Sequence, residues 1–380
     1  MSILIAFHNE HLSERGTNVA MYDYAHYNEV ICRRKSMIIY KKNHHFTHPL
    51  TERKFLDRFL CVTYNDFAEV DEILRRHEVN YFYTIESGRP CNRITKICPT
   101  LVHAVFDIEP YGDVYAAISE TLVSKNKHLI NIPFVPHLIK SVVELNSTMR
   151  ESLNIPIDAL VLGRHGGRDS FDLDFVKQTI VKIVNNIDHV YFLFMNTDHF
   201  YSHPHIIYLP CTWDLLEKQK FINSCDAMIH ARRIGETFGL AVGEFSVANK
   251  PVLTCDCGDR AHLDILGDRA IIYHNEHDLY EKIINLRTII NSRTDWNAYQ
   301  SYCPENVMKI FDDVFINKFE LERKKEKQMI KKEKNRKIVD GFIFYNELKI
   351  LKMRFKELDD IVDYFILVES TKTFTGMDKK

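Results

Sequence analysis

The sequence predicts an α/β protein of two open, parallel-sheet domains facing each other across a cleft, followed by a charged tether and a partial βαβ unit. Three observations carry this reading. Short β-branched and aromatic runs alternate with segments of helical period, the pattern of βαβ units. The alternation breaks once, around residues 136–157, where a polar stretch containing NSTMRESLNIPID intervenes, and then resumes. Finally, a run of mixed charge from Glu320 to Lys337 precedes a last strand, helix and strand. With 380 residues, 45% of them hydrophobic, the chain can bury more than one core.

In chain order, SILIAF (2–7), VNYFYTI (79–85), TLVHAVF (100–106), VYAAIS (114–119) and LINIPFV (129–135) read as strands of a first domain, residues 1–145. Between them FAEVDEILRRH (67–77) is helical, because Phe67, Val70, Ile73 and Leu74 make one apolar stripe. ALVLGR (159–164), HVYFLFMN (189–196), HIIYLP (205–210), AMIHA (227–231), PVLTC (251–255) and AIIYH (270–274) are the strands of a second domain, residues 146–318. The helix FDLDFVKQTIVKIVNN (171–186) lies among them. Residues 319–337 have few apolar side chains to bury and read as an exposed helix or linker. Residues 338–380 open another βαβ unit; a lone strand–helix–strand cannot cover both faces of its sheet, so this piece either docks on the preceding domains or, as expected here, is the front end of a longer protein.

Fifty basic and 52 acidic side chains leave a formal charge of −2. No global field draws the chain to nucleic acid, and any bound anion must be held locally. Nine scattered cysteines suit the reduced thiols of a cytoplasmic protein, and the CxC of Cys255 and Cys257 has no second pair to complete a zinc site. The opening MSILIAFHNE is too short for a signal peptide, and no run of about 18 apolar residues exists to span a membrane. A soluble protein is expected, with peripheral membrane contact still open.

The segment ARRIGETFGLAVGEFSVANKPVLT (231–254) holds Glu236 and Glu244 around small and apolar residues. Read as strand, turn and helix, it sets Glu236 at a strand's carboxyl end. The N–H groups of Thr237, Phe238 and Gly239 then point outward with the positive end of the helix dipole, a ready anion site. At about 1.5 Å per residue the two glutamates would be about 12 Å apart. Paired hydrolytic carboxylates work at about 5–10 Å, so these two suit different parts of one extended ligand.

This E-TFGLAVG-E pattern, followed by KPVLTCDCGD, resembles the EX7E signature of retaining family 4 glycosyltransferases. The resemblance implies the GT-B fold, two Rossmann-like domains with the nucleotide sugar held mainly by the second. It implies that Glu236 contacts hydroxyls of the donor sugar and Glu244 the nucleotide ribose, while the backbone of Thr237, Phe238, Gly239 and Leu240 approaches the diphosphate. LGRHGGRDSFD (162–172) is similar to the family's strand-end Gly-Arg with a second cation a few residues on: Gly163 and Arg164, then Arg168 where lysine is commoner. Fixed cations beside a departing nucleoside diphosphate lower the barrier, and Gly166 and Gly167 allow close backbone approach. In SERGTNVAMYDYA (13–25), Gly16 corresponds to the family's glycine loop near the diphosphate; read alone, it is a turn glycine. His103, in LVHAVF, corresponds to a histidine facing the donor sugar; read alone, it is a satisfied core residue. Asp172 and Asp174 form DLD at a helix start and read as caps rather than metal ligands.

The chemistry so implied is sugar transfer from a nucleoside-diphosphate sugar to a hydroxyl of a glycan, glycoprotein or small-molecule acceptor, with retention and with no cofactor. The rivals are a hydrolase, phosphorylase or epimerase of the same fold, or a non-catalytic glycan-binding module. A dehydrogenase is disfavoured because the first strand is followed by HNEHLSERGTN and not by GxGxxG. The tail, VDGFIFYNELKILKMRFKELDDIVDYFILVESTKTFTGMDKK (339–380), resembles the opening of family 17 glycosyltransferases, the β-1,4-N-acetylglucosaminyltransferase type. That resemblance implies a fusion of two sugar transferases, with only the front of the second present.

Overall fold

A computed structural model describes residues 3–125, 131–140, 147–317, 319–321, 323–324, 337–344 and 348–369. The chain divides into two compact units, Met1–Asn317 and Lys318–Lys380.

The first unit contains two six-stranded sheets, and every strand pair in them is parallel. The first sheet comprises β1 (Leu4–His8), β2 (Lys35–Lys41), β3 (Leu60–Tyr64), β4 (Tyr81–Glu86), β5 (Thr100–Ala104) and β6 (Val114–Ala117). The second comprises β7 (Leu160–Arg164), β8 (Val190–Met195), β9 (Ile206–Leu209), β10 (Ala227–His230), β12 (Val252–Cys255) and β14 (Ala270–Tyr273). Two short strands, β11 (Gly235–Glu236) and β13 (Asp259–Arg260), pair beside it. Numbered within its own domain, each sheet runs in the doubly wound order 3-2-1-4-5-6. The order reverses between β1 and β4 in one sheet and between β7 and β10 in the other, and crevices open at the carboxyl ends of such switch points.

The strands form because both faces are covered, so uninterrupted apolar runs are satisfied. In β8, Phe192, Leu193 and Phe194 are fully buried. The helix α5 (Asp174–Val184) seals that sheet with Val176, Ile180, Ile183 and Val184. Each fully buried side chain of this size contributes about 1.5–3 kcal/mol. In the first domain Val70, Ile73 and Leu74 of α3 (Val70–Arg76) pack on Met37, Ile39 and Phe82, as the apolar stripe over 67–77 predicts.

Three expectations need correction. Strands β2 and β3 were not anticipated: lysines flank the apolar run of KSMIIYK, and LCVTY is short and partly exposed. The expected strand at 129–135 reduces, over its described residues, to one bridge between Phe134 and Ala117. Pro133 and Pro136 lack the N–H that a ladder needs. Third, the segment closing the second stretch of sequence packs on the first domain. Helix α11 (Pro304–Phe311) and the π-helical turn Asp312–Asn317 bring Phe311 and Phe315 to 5.6 and 5.7 Å from the Tyr83 ring, and Arg34 grips Asp312 with two hydrogen bonds.

In the second unit β15 (Val339–Phe344) and β16 (Tyr364–Glu369) pair in parallel, joined through the helix Leu348–Leu358. This is the expected strand, helix and strand. Arg354 donates to both oxygens of Asp340 at 2.6 Å, and the Phe355 ring lies 4.7 Å from Phe365. Most of the expected linker at 319–337 lies outside the described residues.

Candidate functional site

A cavity of about 750 Å³ lies where the carboxyl ends of the two sheets meet. The residues following all four switch-point strands line it: Asn9 and Glu10 after β1, Glu86 at the end of β4, His165 to Gly167 after β7, and Ala231 and Arg232 after β10. Gly16, Arg164, Arg168, Glu236, Thr237, Phe238, Gly239, Leu240 and Glu244 line the same cavity.

Two helix N-termini converge on it. Helix α1 (Gly16–Val30) starts after a loop closed by Asn18, whose Oδ1 accepts from the Ser13 amide at 2.7 Å and from the Ser13 hydroxyl at 3.0 Å. Helix α7 (Leu240–Val247) starts after Gly239, which has a left-handed φ of 88° that favours glycine. A Cβ on Gly16 would sit 3.4 Å from Leu240 Cδ1, so the two starts face each other closely. Unpaired amides and two positive dipole ends are thereby aimed at one volume.

The helix begins three residues later than Thr237. Glu236 therefore lies in β11 and only Glu244 is helical, so the single-helix estimate of their separation does not apply. Neither faces open solvent: their side chains are 20% and 21% exposed. Arg232 Nη1 donates to Glu236 Oε2 at 2.7 Å, and His230 Nε2 lies 3.2 Å from Oε1. An ionised Glu236 can only accept, so His230 donates its Nε2–H to it, which leaves His230 Nδ1 to accept from the Thr254 hydroxyl at 2.9 Å. Burial pushes the Glu236 pKa up, but His230, Arg232 and His262 outweigh it and the net shift is downward. Glu244 is held by Lys218 Nζ at 2.5 Å and lies 3.0 Å from His165 Nε2. Burial again opposes ionisation, and Lys218 and His165 overcome it, holding the carboxyl well below its usual range. Burial lowers His165 itself, so Lys218 supplies the compensating charge.

Arg164 is 3% exposed and its fork is fully engaged. Nη1 donates to Asn196 O and Thr197 Oγ1 at 3.0 and 2.6 Å; Nη2 donates to Gly167 O and Ser170 Oγ at 2.5 and 2.7 Å. Burial draws its pKa down to about 10. It organises the glycine loop at the cavity wall. Arg168 is the opposite case, 73% exposed and paired with an equally solvated Asp198 at 2.6 Å, an ion pair weak enough to exchange for a ligand.

Two anticipated residues fall elsewhere. His103 is fully buried in the first domain's core, outside the cavity lining, with Tyr83 Oη 2.7 Å from Nδ1 and Val135 O 2.8 Å from Nε2. Burial lowers its pKa to about 4. The residues just beyond its strand, Val105 and Phe106, and the later His137 reach the cavity instead. Gly163 is a packing glycine: an added Cβ would meet Cys225 Sγ at 2.2 Å. Asp172 accepts from the Arg233 amide at 2.7 Å rather than capping its own helix, whose first residue is Asp174. Among the described residues no group of three or more His, Cys, Asp or Glu is arranged around a metal position. Lys218, His165, His230 and Arg232 were not singled out from sequence. Three of them sit at strand ends beside the switch points, and that topological rule is the signal that would have found them.

The sequence model of glycosyltransferase family 17 matches residues 317–380. No curated protein sequence matches the chain. Among solved structures, a glycosyltransferase from Rickettsia africae ESF-5 is similar, with a TM-score of 0.57 at 14% identity, covering 86% of this chain and 97% of its own. Anabaena HepE, solved with UDP-glucose, gives 0.59 at 12% identity over 82% and 95% of the two chains. WaaG, a glycosyltransferase of lipopolysaccharide biosynthesis, gives 0.56 at 11% identity over 82% and 100%. At these identities the likeness is one of fold. The two Rossmann-like domains adopt the GT-B arrangement. No helix among the described residues is long and apolar enough to cross a membrane.

Proposed function

We propose that residues 1–317 transfer a sugar from a nucleoside-diphosphate sugar to an acceptor hydroxyl with retention of anomeric configuration, as retaining family 4 glycosyltransferases do. The observation that carries this is the pair Glu236 and Glu244, both lining one cavity at the switch points of two Rossmann sheets and each kept ionised by its own cation. A carboxylate held this way accepts hydrogen bonds from neutral hydroxyls, of a sugar at Glu236 and of a ribose at Glu244. The diphosphate between them would meet the amides of two helix starts.

In this mechanism Arg164 keeps the Gly166–Gly167 loop in shape and Arg168 leaves Asp198 for the departing phosphate. The bond from the anomeric carbon to the diphosphate breaks as the acceptor oxygen bonds to that carbon on the same face. A phosphate oxygen takes the acceptor proton, so no side-chain base is needed. Preorganised amides and cations stabilise charge only where it develops. The complexes of HepE with UDP, UDP-glucose and glucose recommend UDP-glucose as the first donor to try.

The test is thermal shift of the full chain with UDP-, GDP- and ADP-sugars, comparing wild type with Glu244→Ala and Arg168→Ala. A ligand at 100 times its Kd stabilises by about 2.7 kcal/mol, readily seen as a higher Tm. One nucleotide class should raise the Tm of wild type and much less that of either variant. A folded protein unmoved by every donor would refute the reading, and release of free sugar without any acceptor would make the enzyme a hydrolase.

A further inference from the structure

The loop between β2 and the helix Pro49–Leu56 carries NHHFTH, residues 43–48. Its rings meet the cavity wall. The His11 ring, which lines the cavity, stacks on His44 at 5.1 Å with 18° between planes. His44 stacks on His45 at 4.6 Å and 21°, and His45 meets Phe46 at 4.0 Å. Phe46 is 59% exposed. The loop is pinned in this form: the Lys41 amide donates to Glu10 O at 3.1 Å, the His48 amide to Leu12 O at 2.8 Å, and the Phe46 amide to His44 Nδ1 at 3.2 Å.

We propose that His11, His44, His45 and Phe46 form a shelf for a glycan acceptor, so that the enzyme extends an oligosaccharide whose terminal sugar enters the cavity while the preceding sugar lies on the rings. This rests on the transferase reading and deepens it by naming the acceptor class.

A stack of rings leading away from the cavity, with imidazole edges along it and an exposed phenyl ring at its end, offers what a sugar chain requires. The apolar C–H face of a pyranose packs on the electron-rich face of an aromatic ring, while its hydroxyls need neighbours that both donate and accept. Neutral imidazoles supply both. Burial is the first cause that lowers the pKa of His11 and His44, so these rings are neutral near pH 7. Phe46 is exposed beside such a cavity, and because the loop is already pinned, little ordering is required on binding. The shelf belongs to the first domain, across the cavity from Glu236 and Glu244 of the second.

The experiment measures binding of maltotetraose, cellotetraose and chitotetraose, and of the matching monosaccharides, to the full chain by saturation-transfer NMR. UDP-glucose thermal shift is recorded on the same samples. At least one tetrasaccharide should bind more tightly than its monosaccharide. Phe46→Ala should weaken it roughly three- to tenfold, and Phe46→Trp, which restores a ring face, should retain it. Tetrasaccharide binding that Phe46→Ala leaves unchanged overturns the proposal, as does a wild type that prefers no tetrasaccharide to its monosaccharide. A Phe46→Ala effect confined to vesicles of phosphatidylcholine and phosphatidylglycerol also overturns it, making the patch a lipid contact. Loss of the donor shift alone would sink the transferase reading while leaving the glycan result to stand.

Discussion

Arg164 separates two ways in which a buried cation can serve an anion site. If it acts as a charge facing the phosphate, Arg164→Lys should be mild. If it acts through its fork, lysine fails too, because a single ammonium cannot span acceptors on both the Gly167–Ser170 and the Asn196–Thr197 segments. The structure shows the second arrangement, with four hydrogen bonds and 3% exposure. Hydrogen bonds from a charged donor are each worth about 1.5–3 kcal/mol, but burying the guanidinium and admitting water on its removal offset part of the sum. A net loss of about 3–5 kcal/mol for Arg164→Ala and about 2–3 kcal/mol for Arg164→Lys is expected. In a unit that runs from Met1 to Asn317, at about 2.1 cal/mol/K of unfolding entropy per residue, each kcal/mol lowers Tm by about 1.5 °C, so the alanine variant should melt roughly 4–8 °C lower. Scanning calorimetry gives the Tm, and the UDP-glucose shift on the same samples reports the site. Were Arg164→Ala to melt within a degree of wild type while losing donor binding, the loop-organising role would be wrong and the direct-charge role right.

Other consequences are checkable by the same melting assay. Gly163→Ala drives a Cβ to 2.2 Å from Cys225 Sγ and 3.1 Å from Phe245 Cζ, all in the core. It should lose about 1–3 kcal/mol, with partial recovery when Cys225→Ala is added; a single variant with unchanged Tm would contradict the packing argument. Lys218→Met removes the cation in contact with Glu244, leaving the neutral His165 beside it and Lys54 and Lys140 acting without contact, and should lose about 1–3 kcal/mol at pH 8, allowing for the partial exposure of both groups. The sign of the pH dependence follows from Glu244. In wild type its pKa is depressed, so its stabilisation is complete above the ordinary carboxyl value of about 4.3 and is lost only as pH falls further. Without Lys218, burial dominates and protonation relieves the penalty. The Tm gap between variant and wild type should therefore be widest at pH 8 and narrow toward pH 5, and a constant gap would refute the assignment.

What could be read in the sequence was whatever is local. VYFLFM and YFYTIE are long apolar runs between turns and read as buried strands without help, and the alternation of strand and helix was enough for two parallel-sheet domains, while the GT-B expectation came from the EX7E resemblance. KSMIIYK was lost because its lysines hide a four-residue apolar centre, and LINIPFV misled because apolar content outvoted Pro133 and the Pro136 that follows the run. The same division holds at the site. Glu236 and Glu244 share one contiguous stretch and were visible as a pair. Their partners reach them from β7, β10 and the helix Leu215–Ser224, and no spacing rule joins those segments before the sheets are assembled. His103 failed for a related reason: alternation along a strand decides which side chains turn inward, and a residue inside β5 went to the core while those past its end reached the cavity.

The return of Phe311 and Phe315 to the first domain affects how the protein is made. Tyr24, Tyr83 and His103 await rings that the ribosome delivers last in this unit: Phe311 stacks on Tyr24 at 5.4 Å, and Phe315 meets His103 at 5.5 Å. Strand β6, the last of the first sheet, ends at Ala117. At about 5–20 residues per second, roughly 10–40 s separate its emergence from that of the residues that cap this aromatic cluster. During that interval the nascent first domain exposes an apolar face, a natural landing site for a chaperone, and its final packing is post-synthetic in relation to its own sequence.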